Sequence, residues 1–137
     1  IRKAFLDPKS DQVLVVAHRG NWRSAPENSV AAIDSAIQMG VDIVEIDIHK
    51  TKDGQLILMH DDRVDRTTNG KGLIKDYTLA EIKKLKLKDK DGNLTEHIVP
   101  TLEEALLAGK GQIMFNWRIL CLTRYTLCSR KPELPVW

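Results

Sequence analysis

The chain lacks most of the features that would assign it quickly to a class of protein. Among its 137 residues only two are cysteines and 5% are aromatic. No stretch reaches the roughly 18 apolar residues of a membrane span, and the net charge of +2 is too small to indicate binding to nucleic acid or a membrane surface. Cys121 and Cys128 have no histidine nearby, so they predict no metal site, and their pairing stays open.

The most informative segment is an apolar run that contains acidic residues. Residues 41–49 read Val-Asp-Ile-Val-Glu-Ile-Asp-Ile-His, which predicts a buried strand with Glu45, Asp47 and His49 on one face. Buried carboxylates need a compensating cation, because an unpaired charge in such a place is costly. Oxygen ligands at this spacing suit Mg²⁺ or Ca²⁺ better than Zn²⁺. An exposed edge strand with an acidic face is the simpler alternative.

Two further histidines flank this acidic strand along the chain. His18 follows residues 12–17, which predict a first strand, and His60 follows residues 55–59, which predict a strand paired back on 42–49. Because imidazole titrates near neutral pH, histidines beside a metal site favour proton transfer. The pattern indicates a metal-dependent hydrolytic enzyme, although a structural role is the commoner one for a lone histidine.

Strands alternate with helices along the chain, which is typical of an α/β fold with a parallel sheet. Asn28 or Ser29 is a good N-cap for a first helix, which Gly40 ends. No internal repeat is visible, so we expect one domain. Capping motifs, apolar spacing and turn residues further predict helices at 79–85 and 100–108, loops at 61–77 and 88–96, and a strand at 111–116.

Five short motifs stand in order along residues 12–116. They are 16–20 (Val-Ala-His-Arg-Gly), 26–29 (Pro-Glu-Asn-Ser), 45–47 (Glu-Ile-Asp), 60–62 (His-Asp-Asp) and 66–72 (Arg-Thr-Thr-Asn-Gly-Lys-Gly). In order and spacing they resemble the glycerophosphodiester phosphodiesterase family. The resemblance implies a (β/α)8 TIM barrel that hydrolyses a small-molecule glycerophosphodiester to glycerol 3-phosphate and an alcohol.

The resemblance also implies roles for the residues singled out above. Glu45 and Asp47 are the expected ligands of a divalent metal, Mg²⁺ or Ca²⁺, that polarises the phosphodiester. Arg19 is expected to add a bidentate contact to the phosphate. His18 and His60 are the expected general acid and base, in an order that the sequence leaves open.

The length of the chain is at odds with a whole barrel. A TIM barrel takes about 250 residues, whereas this chain has 137, so we expect an α/β fold that is a partial (β/α)8 barrel, about its first half. An open half barrel leaves strand edges uncovered. It therefore predicts a fragment, self-association with another copy through the open edge, or some other cover for that face.

The resemblance stops after Asn116. The family's next strand typically carries Asn-x-Glu-x-Lys with the Glu as a third metal ligand, but Arg118 and Leu120 stand at the Glu and Lys positions. A cation at that place should repel a divalent metal. We therefore expect residues 1–116 to form the N-terminal part of the barrel domain and residues 117–137 to be an aberrant tail.

Two alternatives to an active phosphodiesterase stay open. The short length and Arg118 favour an inactive fragment with a broken metal site. A phospholipase D-like head-group lipase would share the His-Glu-x-Asp-His arrangement, and activity on intact lipid would separate it from a glycerophosphodiester hydrolase. Nothing in the sequence assigns a cellular compartment.

Overall fold

The computed structural model describes residues 6–120, which form a four-stranded sheet and a separate two-stranded hairpin, with helices between the strands. None of the helices in this range is long and apolar enough to cross a bilayer. Cys121, Cys128 and most of the predicted tail lie outside the described residues. The strands are β1 (Val16–His18), β2 (Ile43–Lys50), β3 (Leu56–Leu58), β4 (Lys86–Lys88), β5 (Leu94–Ile98) and β6 (Met114–Ile119). The helices are α1 (Val30–Gln38), α2 (Leu79–Ile82) and α3 (Leu102–Gly109), with a turn of 3₁₀ helix at Ile74–Asp76.

The main sheet is built around β2. β1 and β6 run parallel to β2 on opposite edges, since Glu45 pairs with His18 on one side and with Asn116 on the other. β3 pairs antiparallel with the end of β2, where Ile48 lies opposite Leu58. Parallel strands joined through helices are the repeating unit of a (β/α)8 barrel. The described chain is therefore a partial TIM barrel, which confirms the predicted fold class.

The two faces of β2 have different neighbours. Val44 and Ile46 are fully buried and pack with Ile33 of α1 in the core beneath the helices. Side chains alternate along a strand, so Glu45 and Asp47 lie on the opposite face, away from that core. Both acids are nevertheless buried, with 6% and 0% of their surface exposed. Other parts of the chain must therefore cover these two carboxylates.

A second apolar cluster packs the long segment between β3 and α3 against the end of the sheet. It joins β3, the loop that follows β3, α2 and the hairpin, so these pieces keep a fixed position beside the site. Its buried members are Ile57, Met59, Val64, Ile74, Ile82, Leu87 and Val99.

Two predictions for this segment are wrong. The predicted loop at 88–96 is instead part of the β4–β5 hairpin, whose turn is closed by the Asp89 carboxylate accepting hydrogen bonds from the backbone N–H groups of Asp91 and Asn93. The predicted helix at 79–85 ends at Ile82, because the chain turns there and packs Leu85 against the second apolar cluster.

The ends of two strands also differ from the prediction. β1 begins at Val16 rather than at residue 12, because residues 16–18 pair with β2 and residues 12–15 are not part of the strand. The strand predicted at 111–116 runs instead over Met114–Ile119, because these six residues pair with residues 43–48 of β2. Residues 117–119 therefore belong to the sheet.

Candidate active site

The predicted site residues come together around the middle of β2. His18 pairs with Glu45, and the N–H group of Met59, which precedes His60, donates to the Asp47 carbonyl oxygen. His18 is the last residue of β1, Glu45 and Asp47 lie in β2, and His60 follows the end of β3. The His18 Nε2 and Glu45 Oε2 atoms are 3.9 Å apart. His18 thus lies at the carboxyl end of a parallel strand, which is where α/β barrels hold their reactive groups. The fold thus brings together residues that are far apart in the sequence.

The turn after β1 directs Arg19 back over β2. Arg19 and Gly20 have positive φ angles of 57° and 76°. A Cβ atom on Gly20 would lie 2.7 Å from Ala32 Cβ and 2.8 Å from the Ala32 carbonyl carbon, so α1 leaves room only for glycine. The Arg19 N–H donates to Glu45 Oε2 at 3.3 Å. Close packing of this turn on α1 therefore fixes the first contact to the acidic pair.

Asn28 holds the second acid of the pair. Its side chain is buried, with a backbone φ of 54°. Asn28 Nδ2 donates to Asp47 Oδ2 at 3.2 Å, and the Asp47 N–H donates back to Asn28 Oδ1 at 3.1 Å. Of the two candidate N-caps, Ser29 is the one that caps α1, accepting from the Ala32 N–H at 3.0 Å. Asn28 thus serves the acidic strand rather than the helix.

Two carboxylate oxygens in this cluster remain without a partner. Arg19 Nε lies 3.3 Å from Asp47 Oδ2, so the guanidinium partly compensates the fully buried acid. Among the described residues, however, no hydrogen bond reaches Glu45 Oε1 or Asp47 Oδ1, and both atoms are buried. Buried oxygens of this kind are normally paired, and two carboxylates are a sufficient protein ligand set for Mg²⁺. Glu45 and Asp47 therefore fit a divalent metal in chemical type.

Consecutive ion pairs link five side chains beside the acidic strand, and we call this series the ladder of ion pairs. Its members, in order, are Arg19, Glu27, Arg66, Asp61 and His60. Arg19 Nη1 lies 3.2 Å from Glu27 Oε1. The Arg66 guanidinium donates two hydrogen bonds, of 2.7 and 3.1 Å, to the Glu27 carboxylate. Arg66 also donates two hydrogen bonds, of 2.8 and 2.9 Å, to the Asp61 carboxylate. Asp61 Oδ1 in turn lies 2.9 Å from His60 Nδ1. The ladder connects the expected phosphate-binding arginine to one of the expected catalytic histidines.

Both carboxylates of the ladder stay ionised. Burial raises the pKa of Glu27, but hydrogen bonds and charge from Arg66 and Arg19 outweigh it, so that the pKa lies below its usual value. The hydrogen bond from Arg66 lowers the pKa of Asp61 to about 2 despite partial burial. The pKa of Arg66 is raised in turn, mainly by its hydrogen bonds to Asp61 and Glu27. Glu27, Asp61 and Arg66 therefore all carry their charges at neutral pH.

His49 supports the site from beneath. It shares the face of Glu45 and Asp47, as the alternation predicts, and only 7% of its surface is exposed. Its Nε2 atom lies 3.1 Å from the backbone carbonyl oxygen of His60, and with the proton on Nε2 it donates to that oxygen. His49 therefore fixes the backbone that carries His60.

β6 brings a cation rather than an acid beside the carboxylates. The strand register pairs Asp47 with Arg118 and Glu45 with Asn116, and paired residues share a face of the sheet. The Arg118 side chain is exposed. Within residues 6–120 no group of three His, Cys, Asp or Glu side chains could hold a metal. The described site thus offers two acidic ligands, with Arg118 where the family resemblance leads us to expect a third.

The sequence interpretation did not single out every functional contact. The sequence predicts Asn28 only as a candidate helix cap, and it gives Glu27 and Arg66 no role beyond their places in two of the motifs. The available signal was the pair of motifs at 26–29 and 66–72, which lie far apart in the sequence yet face each other across the site.

The fold and the site together define part of an α/β-barrel domain in which two histidines lie beside a pair of buried acids. The model of the glycerophosphoryl diester phosphodiesterase family matches residues 18–123. The chain therefore belongs to the glycerophosphodiester phosphodiesterase family, which confirms the resemblance.

Named relatives and solved structures share this region. The glycerophosphodiester phosphodiesterase of Caldanaerobacter subterraneus is 46% identical over 110 residues, covering 79% of this chain and 45% of that protein. Glycerophosphodiester phosphodiesterase 1 of Homo sapiens is 42% identical over 102 residues, covering 70% and 30%.

Among solved structures, a glycerophosphodiester phosphodiesterase from Agrobacterium tumefaciens has a TM-score of 0.75 at 35% identity, covering 80% of this chain and 48% of that one. A phosphodiesterase from Oleispira antarctica, solved with the product sn-glycerol-3-phosphate, has a TM-score of 0.74 at 37% identity, covering 80% and 45%. The chain spans less than half the length of each of these relatives.

Proposed function

We propose that this chain hydrolyses glycerophosphodiesters to glycerol 3-phosphate and an alcohol. The observation that carries the proposal is that His18 and His60 both lie next to β2, where Glu45 and Asp47 each keep one buried carboxylate oxygen without a hydrogen-bond partner. Relatives named glycerophosphodiester phosphodiesterase support the reaction class. The Oleispira antarctica structure with sn-glycerol-3-phosphate supports the identity of the product.

Glu45 and Asp47 would hold a divalent metal, Mg²⁺ or Ca²⁺, through the two unpartnered oxygens. When bound, such an ion supplies positive charge that neutralises the phosphate and makes its phosphorus a better electrophile. Arg19 would bind the phosphate beside it. The ion pairs of Arg19 involve Nε and Nη1, which leaves the Nη2 donors for a phosphate oxygen.

His18 and His60 would exchange the two protons that the hydrolysis requires. One proton leaves the attacking water, and the other goes to the oxygen of the departing alcohol. Ionised Asp61 accepts from His60 Nδ1 at 2.9 Å, which keeps a proton on Nδ1 and leaves Nε2 to give or take the reacting proton. His18 is 58% exposed and faces Glu45, so it is accessible to water and substrate. Either histidine can take either role.

A non-catalytic fragment is the second candidate, and Arg118 is the observation that favours it. Its charge stands in register with Asp47 and opposes a metal at the acidic pair. Within residues 6–120, β1 and β6 each pair with β2 alone, so the outer edge of each strand is open. In this case we propose that a second copy of the chain pairs with one of these edges.

The test is release of glycerol 3-phosphate from glycerophosphocholine and from glycerophosphoinositol, each in Mg²⁺, in Ca²⁺ and in EDTA. We expect release in the metal buffers, none in EDTA, and a rate lowered about 100-fold or more in His18→Ala and in His60→Ala. His97→Ala is the matched control, because His97 is an exposed histidine of β5 and no hydrogen bond or ion pair within residues 6–120 joins its side chain to the site. Full activity in both site variants would overturn the proposal. No release from a folded sample would favour the fragment.

A further inference from the structure

A polar pocket of about 300 Å³ opens beside the ladder of ion pairs. One wall comes from the turn after β1 and another from the β4–β5 hairpin, while Glu27 and Arg66 belong both to the pocket and to the ladder. Two contacts of the ladder, from Arg66 to Asp61 and from Asp61 to His60, connect the pocket to the proposed reaction centre. The lining residues are Trp22, Glu27, Arg66, Thr67, Lys88, Asp89, Lys90 and Gly92.

The two acids that line the pocket are already engaged. The Glu27 carboxylate accepts hydrogen bonds from Arg19 and Arg66. The Asp89 carboxylate accepts two backbone hydrogen bonds of 2.9 Å each within the hairpin turn. Three cationic side chains line the pocket with these two acids, and one of the three, Lys88, has no carboxylate partner among residues 6–120. The pocket therefore favours a negatively charged ligand group.

Lys88 supplies the positive charge that lacks an acidic partner. Its ammonium group donates to the backbone carbonyl oxygen of Asp65 at 3.3 Å, and among residues 6–120 it forms no ion pair with a carboxylate. An ammonium has three donors, so further donors remain for a ligand anion. Lys90 pairs with Asp91 at 2.7 Å, but this contact is exposed and is therefore weak.

We propose that this pocket binds the alcohol part of the substrate and selects alcohols that carry an anionic group of their own, such as a second phosphate. The proposal rests on the proposed function. Lys88 binds the anion, with Lys90 beside it, and the half-exposed indole of Trp22 gives the carbon skeleton of the alcohol an apolar wall. A cationic alcohol such as choline would instead meet two lysines.

The test compares glycerophosphoinositol with glycerophosphoinositol 4-phosphate, two ligands that differ by one phosphate. Each is titrated calorimetrically into the whole chain in EDTA, which prevents metal-dependent turnover. We expect roughly tenfold tighter binding of the phosphorylated ligand, the gain of one charge-assisted hydrogen bond. In Lys88→Gln the preference should fall below about threefold. In Lys84→Gln, which removes the same charge from an exposed residue outside the pocket, it should persist.

Lys90→Gln is a second variant, because Lys88 also supports the loop that contains Asp65. We expect a smaller but measurable fall in the preference from this variant. Equal binding of both ligands to the unmodified chain, binding of neither, or a preference that survives in both pocket variants would overturn the proposal. A Lys88-dependent preference in a chain that hydrolyses no diester would support the pocket and overturn only the proposed hydrolysis.

Discussion

The two flanks of β2, on the β1 side and on the β6 side, differ in whether they contact its buried carboxylates. On the β1 flank, Arg19 and Asn28 reach the carboxylates of Glu45 and Asp47 through hydrogen bonds or an ion pair. On the β6 flank, Arg118 is exposed, and among the described residues no hydrogen bond joins β6 to either carboxylate. The difference shows that a partial barrel can bury an acidic pair when the turns of one flank supply a cation and hydrogen-bond donors to the carboxylates.

The largest difference between the flanks is expected from the same substitution made on each side of Asp47. Arg19→Met leaves the fully buried acid without its cation, which should lower the free energy of unfolding by about 4 kcal/mol. Arg118→Met, at an exposed position, should change it by less than about 0.5 kcal/mol. Urea unfolding measures both. Equal losses would show that the flanks share the task of compensating Asp47.

Glycine substitutions should separate the flanks by a smaller amount. Gly20→Ala forces a Cβ atom against Ala32 and keeps a strained φ, which should destabilise the chain by about 3 kcal/mol. Gly111, before β6, also has a positive φ, but an added methyl group would meet no atom within 4 Å, so Gly111→Ala should cost about 1 kcal/mol. Thermal unfolding provides the comparison, and a smaller loss for Gly20 would contradict the close packing of the β1 turn.

Restoring an acid on the β6 flank should make the flanks more alike. Arg118→Glu places a third carboxylate in register beside Asp47 and removes a repelling charge. We expect Mg²⁺ or Ca²⁺ to bind about tenfold more tightly, equivalent to about 1.4 kcal/mol. Arg118→Gln, which only removes the charge, is the matched control and should gain less. If neither variant binds metal better, Arg118 does not oppose the metal.

The smallest expected effect comes from the ladder of ion pairs. Arg66→Gln should lower the free energy of unfolding by about 1 kcal/mol at pH 7, because half of the Arg66 side chain is exposed to solvent, which screens its ion pairs. The folded-state pKa of Asp61 is lowered to about 2, so the stability that Asp61 contributes is present above its ordinary pKa and is lost as the pH falls through about 2. The difference between the two proteins should therefore shrink below about pH 4. A difference that stays constant in acid would contradict the lowered pKa.

The central strand and the order of the site could be predicted because their causes are local. Alternation of apolar and acidic residues marks β2 and places Glu45 and Asp47 on one face. Histidines directly after apolar runs mark the strand ends at which His18 and His60 lie. The partial barrel follows from this pattern together with the family resemblance and the length of the chain.

The parts that could not be predicted depend on contacts between distant segments. Asn28 has the sequence context of a helix cap, and only the fold brings it to Asp47. The β4–β5 hairpin carries lysines that suggest a solvated loop, and it is stabilised by packing of Leu87 in the second apolar cluster. Arg66 gains its two acidic partners only because its loop folds over the site.

The metal site that we propose on Glu45 and Asp47 is tested most directly by titrating Mg²⁺ and Ca²⁺ into the chain and into Glu45→Gln, with calorimetry as the readout. The substitution preserves the shape of a buried side chain and removes one carboxylate. We expect one ion per chain, bound at least tenfold more weakly by the variant. No binding to the unmodified chain, or equal binding to both proteins, would contradict a metal site on these two acids.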